Sequence, residues 1–293
     1  MDGLLVIDKP PGITSHDVVD EVRRRLGVRR VGHAGTLDPQ ATGILVVGVG
    51  RATRLLSYAQ AGTKRYRADA VFGITTTTQD AWGEVVATRP AQLSRADLEE
   101  VLPRFLGALE QTPPMVSAVR VRGERLYRRA RRGESVDRPA RPIHVRALDL
   151  LEWRPGEHPG ATLDVTCSPG TYVRTLVSDI GDRLGCGAHL AALRRTESGA
   201  YTEADAVSLD RVDAAALRPL EQAVAGLPRL EADRETAARV ADGRPLSHPE
   251  PGRDGDAVAV VRGSDLLAVY VRRGDALVAE RVLARPPAPS GNP

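Results

Sequence analysis

One stretch limits what this chain can fold into: Gly32-His33-Ala34-Gly35-Thr36-Leu37-Asp38-Pro39-Gln40-Ala41-Thr42-Gly43. Three glycines, a proline and two threonines predict an irregular loop whose shape is set by the backbone. The apolar run Ile44–Val49 follows at once and reads as a buried strand. A loop anchored on a core strand can hold a side chain rigidly, and this one carries one histidine and one carboxylate. Asp38 has two readings here, a turn cap before Pro39 or a reactive acid, and on this stretch alone the cap is the better one.

Partners for a reactive acid must come from elsewhere in the chain. Its 293 residues are 42% hydrophobic and 27% charged, as expected of a globular protein with room for two domains. Two cysteines, Cys167 and Cys186, cannot build a disulfide framework, which suits a reducing cytoplasm. The start of the chain lacks the pattern of a signal peptide, and no apolar run reaches the ~20 residues of a membrane span. Net charge is +3, and the only lysines are Lys9 and Lys64. Arginine suits a nucleic-acid partner, but a GC-rich genome also replaces lysine throughout, so where arginine clusters matters more than how much there is.

Read in order, the chain predicts a strand at Gly3–Lys9 and a helix from about His16 to Leu26, capped by Ser15 and stopped by Gly27. Lys64–Phe72 alternates as a strand should, Gly73–Gly83 reads as a polar loop, and Glu84–Thr88 as a further strand. Ser94 caps a helix to about Leu106, and a short strand is expected at Ser117–Val121. Arginines then cluster at 120, 122, 125, 128, 129, 131 and 132, denser than background and readable as an RNA contact surface. Strands at Ile143–Trp153 and Ala161–Cys167 precede a helix at Thr171–Leu184, with Tyr172 and Arg174 in its first turn, and a strand at His189–Glu197. Two short helices near Asp210–Leu217 and Pro219–Ala225 lead to a capped helix at Asp233–Ala241. Strands at Ala257–Arg262, Leu266–Arg272 and Leu277–Leu283 complete a small β-rich module. Strands and helices without a regular βαβ beat predict an α+β fold with a mixed or antiparallel central sheet.

Common chemical signatures are missing: no GxGxxG, no GxxxxGK[ST], no HExxH, no cysteine pair and no GxSxG. Neither a metal nor a nucleotide cofactor is expected. What remains is Asp38 and candidate partners on separate elements. Arg174 could hold a carboxylate ionised and pointed, or form a plain salt bridge; the sequence weighs the two equally. Tyr66 and Tyr172 offer faces for stacking a base or for packing a core.

The ordered motifs carry a resemblance. They are Asp8-Lys9-Pro10-Pro11-Gly12 with Thr14-Ser15, then Gly32-His33 through Leu37-Asp38-Pro39 to Ala41-Thr42-Gly43. Lys64-Arg65-Tyr66, Asp80-Ala81-Trp82-Gly83 and Gln111-Thr112-Pro113-Pro114 with Ser117-Ala118 come next. Gly170-Thr171-Tyr172-Val173-Arg174 and Gly187-Ala188-His189-Leu190 with Leu193-Arg194-Arg195 complete the series. Together they resemble the bacterial tRNA pseudouridine synthase B (TruB) family over about three-quarters of the chain. The resemblance implies an isomerase that turns a tRNA T-loop uridine into pseudouridine with no cofactor and no obligatory protein partner. It makes Asp38 the catalytic aspartate, Tyr66 the platform for the target uracil and Arg174 the partner of Asp38. His33, Tyr172 and Leu193 match positions that contact the flipped nucleotide, and Lys9, Lys64, Arg120 and Arg128 are expected at the RNA. Arg120 stands where many relatives carry lysine. Residues 1–226 are then the synthase domain, with an RNA-contacting insertion around 111–142. Residues 227–284 are a PUA-like domain, and residues 285–293 a disordered tail. The rival function is a non-catalytic tRNA-binding or tRNA-folding factor on the same scaffold. A second enzyme reading is a synthase working in a guide-RNA complex.

Overall fold

Burial alternates along Lys64–Phe72, with Lys64, Tyr66, Ala68, Ala70 and Phe72 inside and Arg65 and Arg67 exposed. That period of two puts Lys64 and Tyr66 on the core face of one strand. The computed structural model describes residues 1–115, 136–247 and 252–283 in full, and the backbone alone of 120–121 and 124–125. The expected strand at Ser117–Val121 lies largely outside the described residues, as do the side chains of Arg120 and Arg128, the rest of the arginine cluster and the tail.

In chain order the first elements are β1 (Gly3–Lys9), α1 (Ser15–Leu26), β2 (Val31–Ala34), β3 (Thr42–Val49), α2 (Leu56–Ala61) and β4 (Lys64–Phe72). The short β5 (Ile74–Thr76) and β6 (Val85–Thr88) follow, then α3 (Arg95–Val101) and β7 (Gly107–Gln111). Next come β8 (Arg120–Val121), β9 (Glu124–Arg125), β10 (Arg141–Arg154), β11 (Gly160–Cys167), α4 (Val173–Arg183), β12 (Ala188–Ser198), β13 (Tyr201–Thr202) and β14 (Val207–Ser208). The last are β15 (Arg229–Glu231), α5 (Arg234–Ala241), β16 (Leu246–Ser247), β17 (Ala257–Arg262), β18 (Asp265–Arg273) and β19 (Ala276–Val282).

The main sheet runs β14-β1-β3-β12-β4-β11-β10-β7, with β2 on β3 and β13 on β12. It is mixed, because β12 meets β3 in parallel but β4 antiparallel. A second sheet runs β15-β17-β18-β19-β16. On one face of the main sheet, Val18, Val19 and Val22 of α1 and Val177 and Ile180 of α4 join Ile7, Leu45, Phe72 and Leu163 in one apolar core. On the other face, Leu4, Val6, Ile44 and Val46 share a second core with Ala59 of α2 and with Ala259, Val261, Leu266 and Val269 of the second sheet. Arg51 and Arg54 tighten that contact by donating to the carbonyls of Leu283 and Val282. Among the described residues no helix is long and apolar enough to cross a membrane.

Several boundaries differ from expectation for identifiable reasons. Thr14, not Ser15, caps α1 through a reciprocal pair with Asp17, because the Ser15 hydroxyl is engaged elsewhere. The glycine-rich stretch is only partly a loop, since Val31–Ala34 pairs with β3 as a hairpin arm. The polar loop at Gly73–Gly83 contains β5, paired with β6. The helix expected to reach Leu106 turns 3-10 at Leu102–Phe105, where Pro103 has no N–H to give. Helix α4 begins at Val173, two residues later than expected. No α-helix forms over Asp210–Leu217. Arg218, just beyond, exchanges backbone hydrogen bonds with Leu4 at the sheet edge, so the chain is drawn out there instead. The second expected helix is a 3-10 turn at Leu220–Val224.

Gly43 marks the tightest approach in the sheet. Its φ is +94°, and a Cβ placed there would sit 2.2 Å from the Arg195 carbonyl oxygen of β12. Gly43→Ala is expected to cost about 1–3 kcal/mol, from left-handed strain and the backbone clash together. A urea denaturation midpoint equal to that of the parent would show that the β3–β12 contact relaxes freely.

Candidate active site

The loop between β2 and β3 is held by three buried side chains. Ser15 of α1 accepts from the Leu37 N–H at 2.9 Å and donates to the Leu37 carbonyl at 3.1 Å. The Lys9 ammonium, fully buried, donates to the carbonyls of Pro10, Pro39 and Ala41 at 2.8–3.0 Å. Arg195, 1% exposed, donates to the carbonyls of Ile44 and Gly35 at 2.6 and 3.2 Å. Asp38 lies between these anchors, so its backbone is fixed on both sides. Its own carbonyl accepts the Ala41 N–H, so the turn reading of Asp-Pro is also realised.

Facing this loop is the start of α4. Gln111, buried at the end of β7, clamps the Tyr172 backbone with both ends of its amide, accepting from its N–H at 2.8 Å and donating to its carbonyl at 3.0 Å. That aims Arg174, in the first turn, inward. Its Nη1 lies 3.1 Å from Asp80 Oδ2 and 3.6 Å from Asp38 Oδ2. Arg174 and Asp80 are almost wholly buried, whereas Asp38 keeps about a third of its side chain, 35%, open. The expected pairing of Arg174 with Asp38 is therefore present as the longer arm of a carboxylate–arginine–carboxylate bridge. Asp80 is itself held by the Thr78 hydroxyl and the Trp82 N–H. Burial, first, and then the neighbouring Asp80 push the Asp38 carboxyl up, while Arg174 and Lys9 pull it down; the balance is upward.

A cleft of about 290 Å³ opens over Asp38. Tyr66, Tyr172, Arg174, Leu193, Lys64 and Arg195 line it. Of the residues singled out in the sequence, Asp38, Tyr66, Arg174, Tyr172, Leu193 and Lys64 thus come together. His33 sits on β2 opposite Val47 and does not line the cleft. Lys9, expected at RNA, is instead a strut of the loop, because its ammonium is used up on three carbonyls away from any surface. Tyr66 presents its ring from β4 and is 8% exposed, and burial drives its hydroxyl pKa up, so it stays protonated. Asp80 and Arg195 have no role in the sequence reading, and Ser15 has only that of a helix cap. Asp80 and Arg195 stand in the quoted motifs, but nothing local marks a partner far along the chain. Among the described residues no group of three His, Cys, Asp or Glu side chains could hold a metal ion.

Chemically, the cleft sets one open carboxylate beside an aromatic face, an aliphatic wall and a guanidinium. It suits a flat, polar ring placed over an ionised acid. The Arg174 bridge depends on Asp80, so Asp80→Asn should destabilise the fold by about 1–3 kcal/mol in urea denaturation, the penalty of a buried guanidinium losing the closer of its two carboxylates. A loss below about 0.5 kcal/mol, the usual effect of a surface change, would show that Asp80 does not anchor Arg174.

The comparisons with known proteins agree with this geometry. The family model for the TruB family pseudouridylate synthase N-terminal domain matches residues 23–173. That for the tRNA pseudouridylate synthase B C-terminal domain matches residues 174–228. The chain is 51% identical to tRNA pseudouridine synthase B of Symbiobacterium thermophilum over 83% of this chain and 82% of that one. It is 49% identical to the Thermobifida fusca protein of the same name, covering 84% and 87%. Among solved structures, the pseudouridine-synthase fold of a Cbf5-Nop10-Gar1 complex superposes with a TM-score of 0.76 at 27% identity, over 97% of this chain and 85% of that one. The chain belongs to the TruB family of pseudouridylate synthases.

Proposed function

We propose that this chain is a tRNA pseudouridine synthase that isomerises a uridine of the T-loop, with Asp38 as the acting carboxylate. The observation that carries the reading is the open Asp38 carboxylate on the cleft floor, 3.6 Å from Arg174 and sharing the cleft with Tyr66 and Leu193. A uridine stacked in folded RNA must leave its stack to reach such a floor, and the Tyr66 ring and the Leu193 side chain offer it a new one. In the isomerisation the C1′–N1 bond breaks, the uracil turns, and C5 bonds to C1′. The C5 proton leaves to solvent and N1 gains one, so no electrons are exchanged with a cofactor.

Arg174 keeps Asp38 ionised and aimed, and Asp80 keeps Arg174 in place. Tyr66 stacks on the uracil and stays protonated, a state in which it can hand a proton on. Tyr172 closes the cleft at the helix start. His33, near the start of the loop, is read as a contact to RNA beside the flipped nucleotide. Residues 1–226 act as the synthase unit, and the five-stranded sheet supports reading 227–284 as a PUA-like RNA-binding unit. The chain acts on naked RNA without guide or protein partner, which separates it from complexes such as that of Cbf5 with Nop10 and Gar1.

T-arm RNA tritiated at uridine C5 should release tritium when mixed with this protein alone. RNA bound without release would favour the tRNA-folding factor instead. Asp38→Asn is expected to lower release at least about 10³-fold, as loss of a principal catalytic group does, with tRNA affinity largely kept because phosphate contacts supply it. The pH dependence follows from the raised Asp38 pKa. The acting form is the ionised one, so kcat/KM is lost as pH falls through a value above the 3.8 of an unperturbed aspartate. Release rates measured from about pH 3 to about pH 7 check this, and an acid limb at or below the ordinary aspartate value contradicts it.

A further inference from the structure

Lys64 has an unmet need. It is 3% exposed, its Nζ is buried, and no hydrogen-bond acceptor among the described residues reaches it. It lines the cleft two residues before Tyr66 on the same face of β4. The charged and titratable groups acting on it come from the two flanking strands. Arg195 of β12 is of like sign, and Cys167 of β11, opposite Lys64 in register, is a thiol pushed up to about 11 by burial and therefore neutral. Burial and Arg195 bring the Lys64 ammonium down to about 8. A buried ammonium with no acceptor is costly to the fold. Lys9, the other lysine, shows the alternative, with three carbonyls around its Nζ.

We propose that Lys64 takes a carbonyl oxygen of the flipped uracil as its missing acceptor and stabilises the ring as an anion once the glycosidic bond has broken. This rests on the reading of the chain as a uridine isomerase. When C1′–N1 breaks, the bonding pair leaves with the uracil, and its negative charge spreads over N1 and the two ring oxygens. An ammonium fixed beside the ring meets that charge where it develops and has no competing carboxylate to satisfy. The charge is consumed when C5 attacks C1′, and the later loss of the C5 proton and gain at N1 pass to and from solvent. Lys64 keeps its proton throughout. A phosphate would be the other anionic ligand, but Lys64 lines the cleft beside Tyr66, on the wall against which the proposal stacks the base, rather than an outer surface that a hydrated phosphate backbone follows.

The test compares the full-length parent with Lys64→Met on T-arm RNA tritiated at uridine C5. Methionine keeps the length and removes the charge. Its single-turnover rate at saturating RNA should fall about 10²-fold, as when a charge-stabilising donor is lost. Its Tm should rise, because an unpaired buried charge is gone. In the parent, kcat/KM should fall as pH rises through about 8, where free Lys64 gives up its proton, and the variant should lack that limb. A variant rate within about threefold of the parent overturns the proposal, being far short of a lost stabilising donor. So does a loss confined to RNA affinity with a salt slope shallower by about 1, which marks a phosphate contact. A lost rate with a lowered Tm makes Lys64 a structural strut and overturns it as well. A parent that binds the RNA but makes no pseudouridine defeats the isomerase reading and this inference with it. A working parent matched by its variant defeats this inference alone.

Discussion

The Asp38 loop is held by side chains that have given up solvent to do it. Lys9, Ser15 and Arg195 come from a strand, a helix and a distant strand, and each spends its polar atoms on backbone groups of the loop or its flanks. A loop of this composition has no regular hydrogen-bond ladder of its own, so its carbonyls must find donors elsewhere. The donors chosen are buried, and two of them are cationic. The loop can therefore move only if charges are left unpaired in the interior. The position of one carboxylate thus depends on the assembly of the whole main sheet.

Electrostatics then sets the state of that carboxylate. Arg174 is shared unequally: the closer contact goes to Asp80, which is buried and held by Thr78 and Trp82. Asp38 receives the longer contact and faces the open side. A closer partner would quiet Asp38 as a plain ion pair, and none at all would leave it protonated in a partly buried setting. The intermediate arrangement opposes the upward push of burial on Asp38 without closing the carboxylate off. The Gln111 clamp on Tyr172 matters for the same reason, since it fixes the helix start from which Arg174 projects.

Much of this was legible in the chain. The alternation in Lys64–Phe72, the glycine-rich loop before Ile44–Val49, and the strands of the C-terminal module all appear in the structure near their expected bounds. The cleft gathers Asp38, Tyr66, Tyr172, Arg174 and Leu193 as the motif order implied. Lys9 was misread because an exposed phosphate contact and a buried carbonyl strut look alike in sequence; both need only a lysine beside a loop. Asp80 and Arg195 had motif membership without a role, because pairing across more than ninety residues leaves no local period. The missing helix over Asp210–Leu217 reflects competition from the sheet edge at Leu4, a tertiary effect that propensity does not carry.

Ile44, whose carbonyl receives Arg195, is in the same layer as Ala259, Val261, Leu266 and Val269 of the C-terminal sheet. That sheet is thus the rear wall of the reactive loop as well as an appendage on the chain. Anything that grips or loosens the C-terminal sheet pulls on the backing of the strand behind Asp38. A chain that lost this sheet would expose Leu4, Val6, Ile44 and Val46, the side chains that back β3.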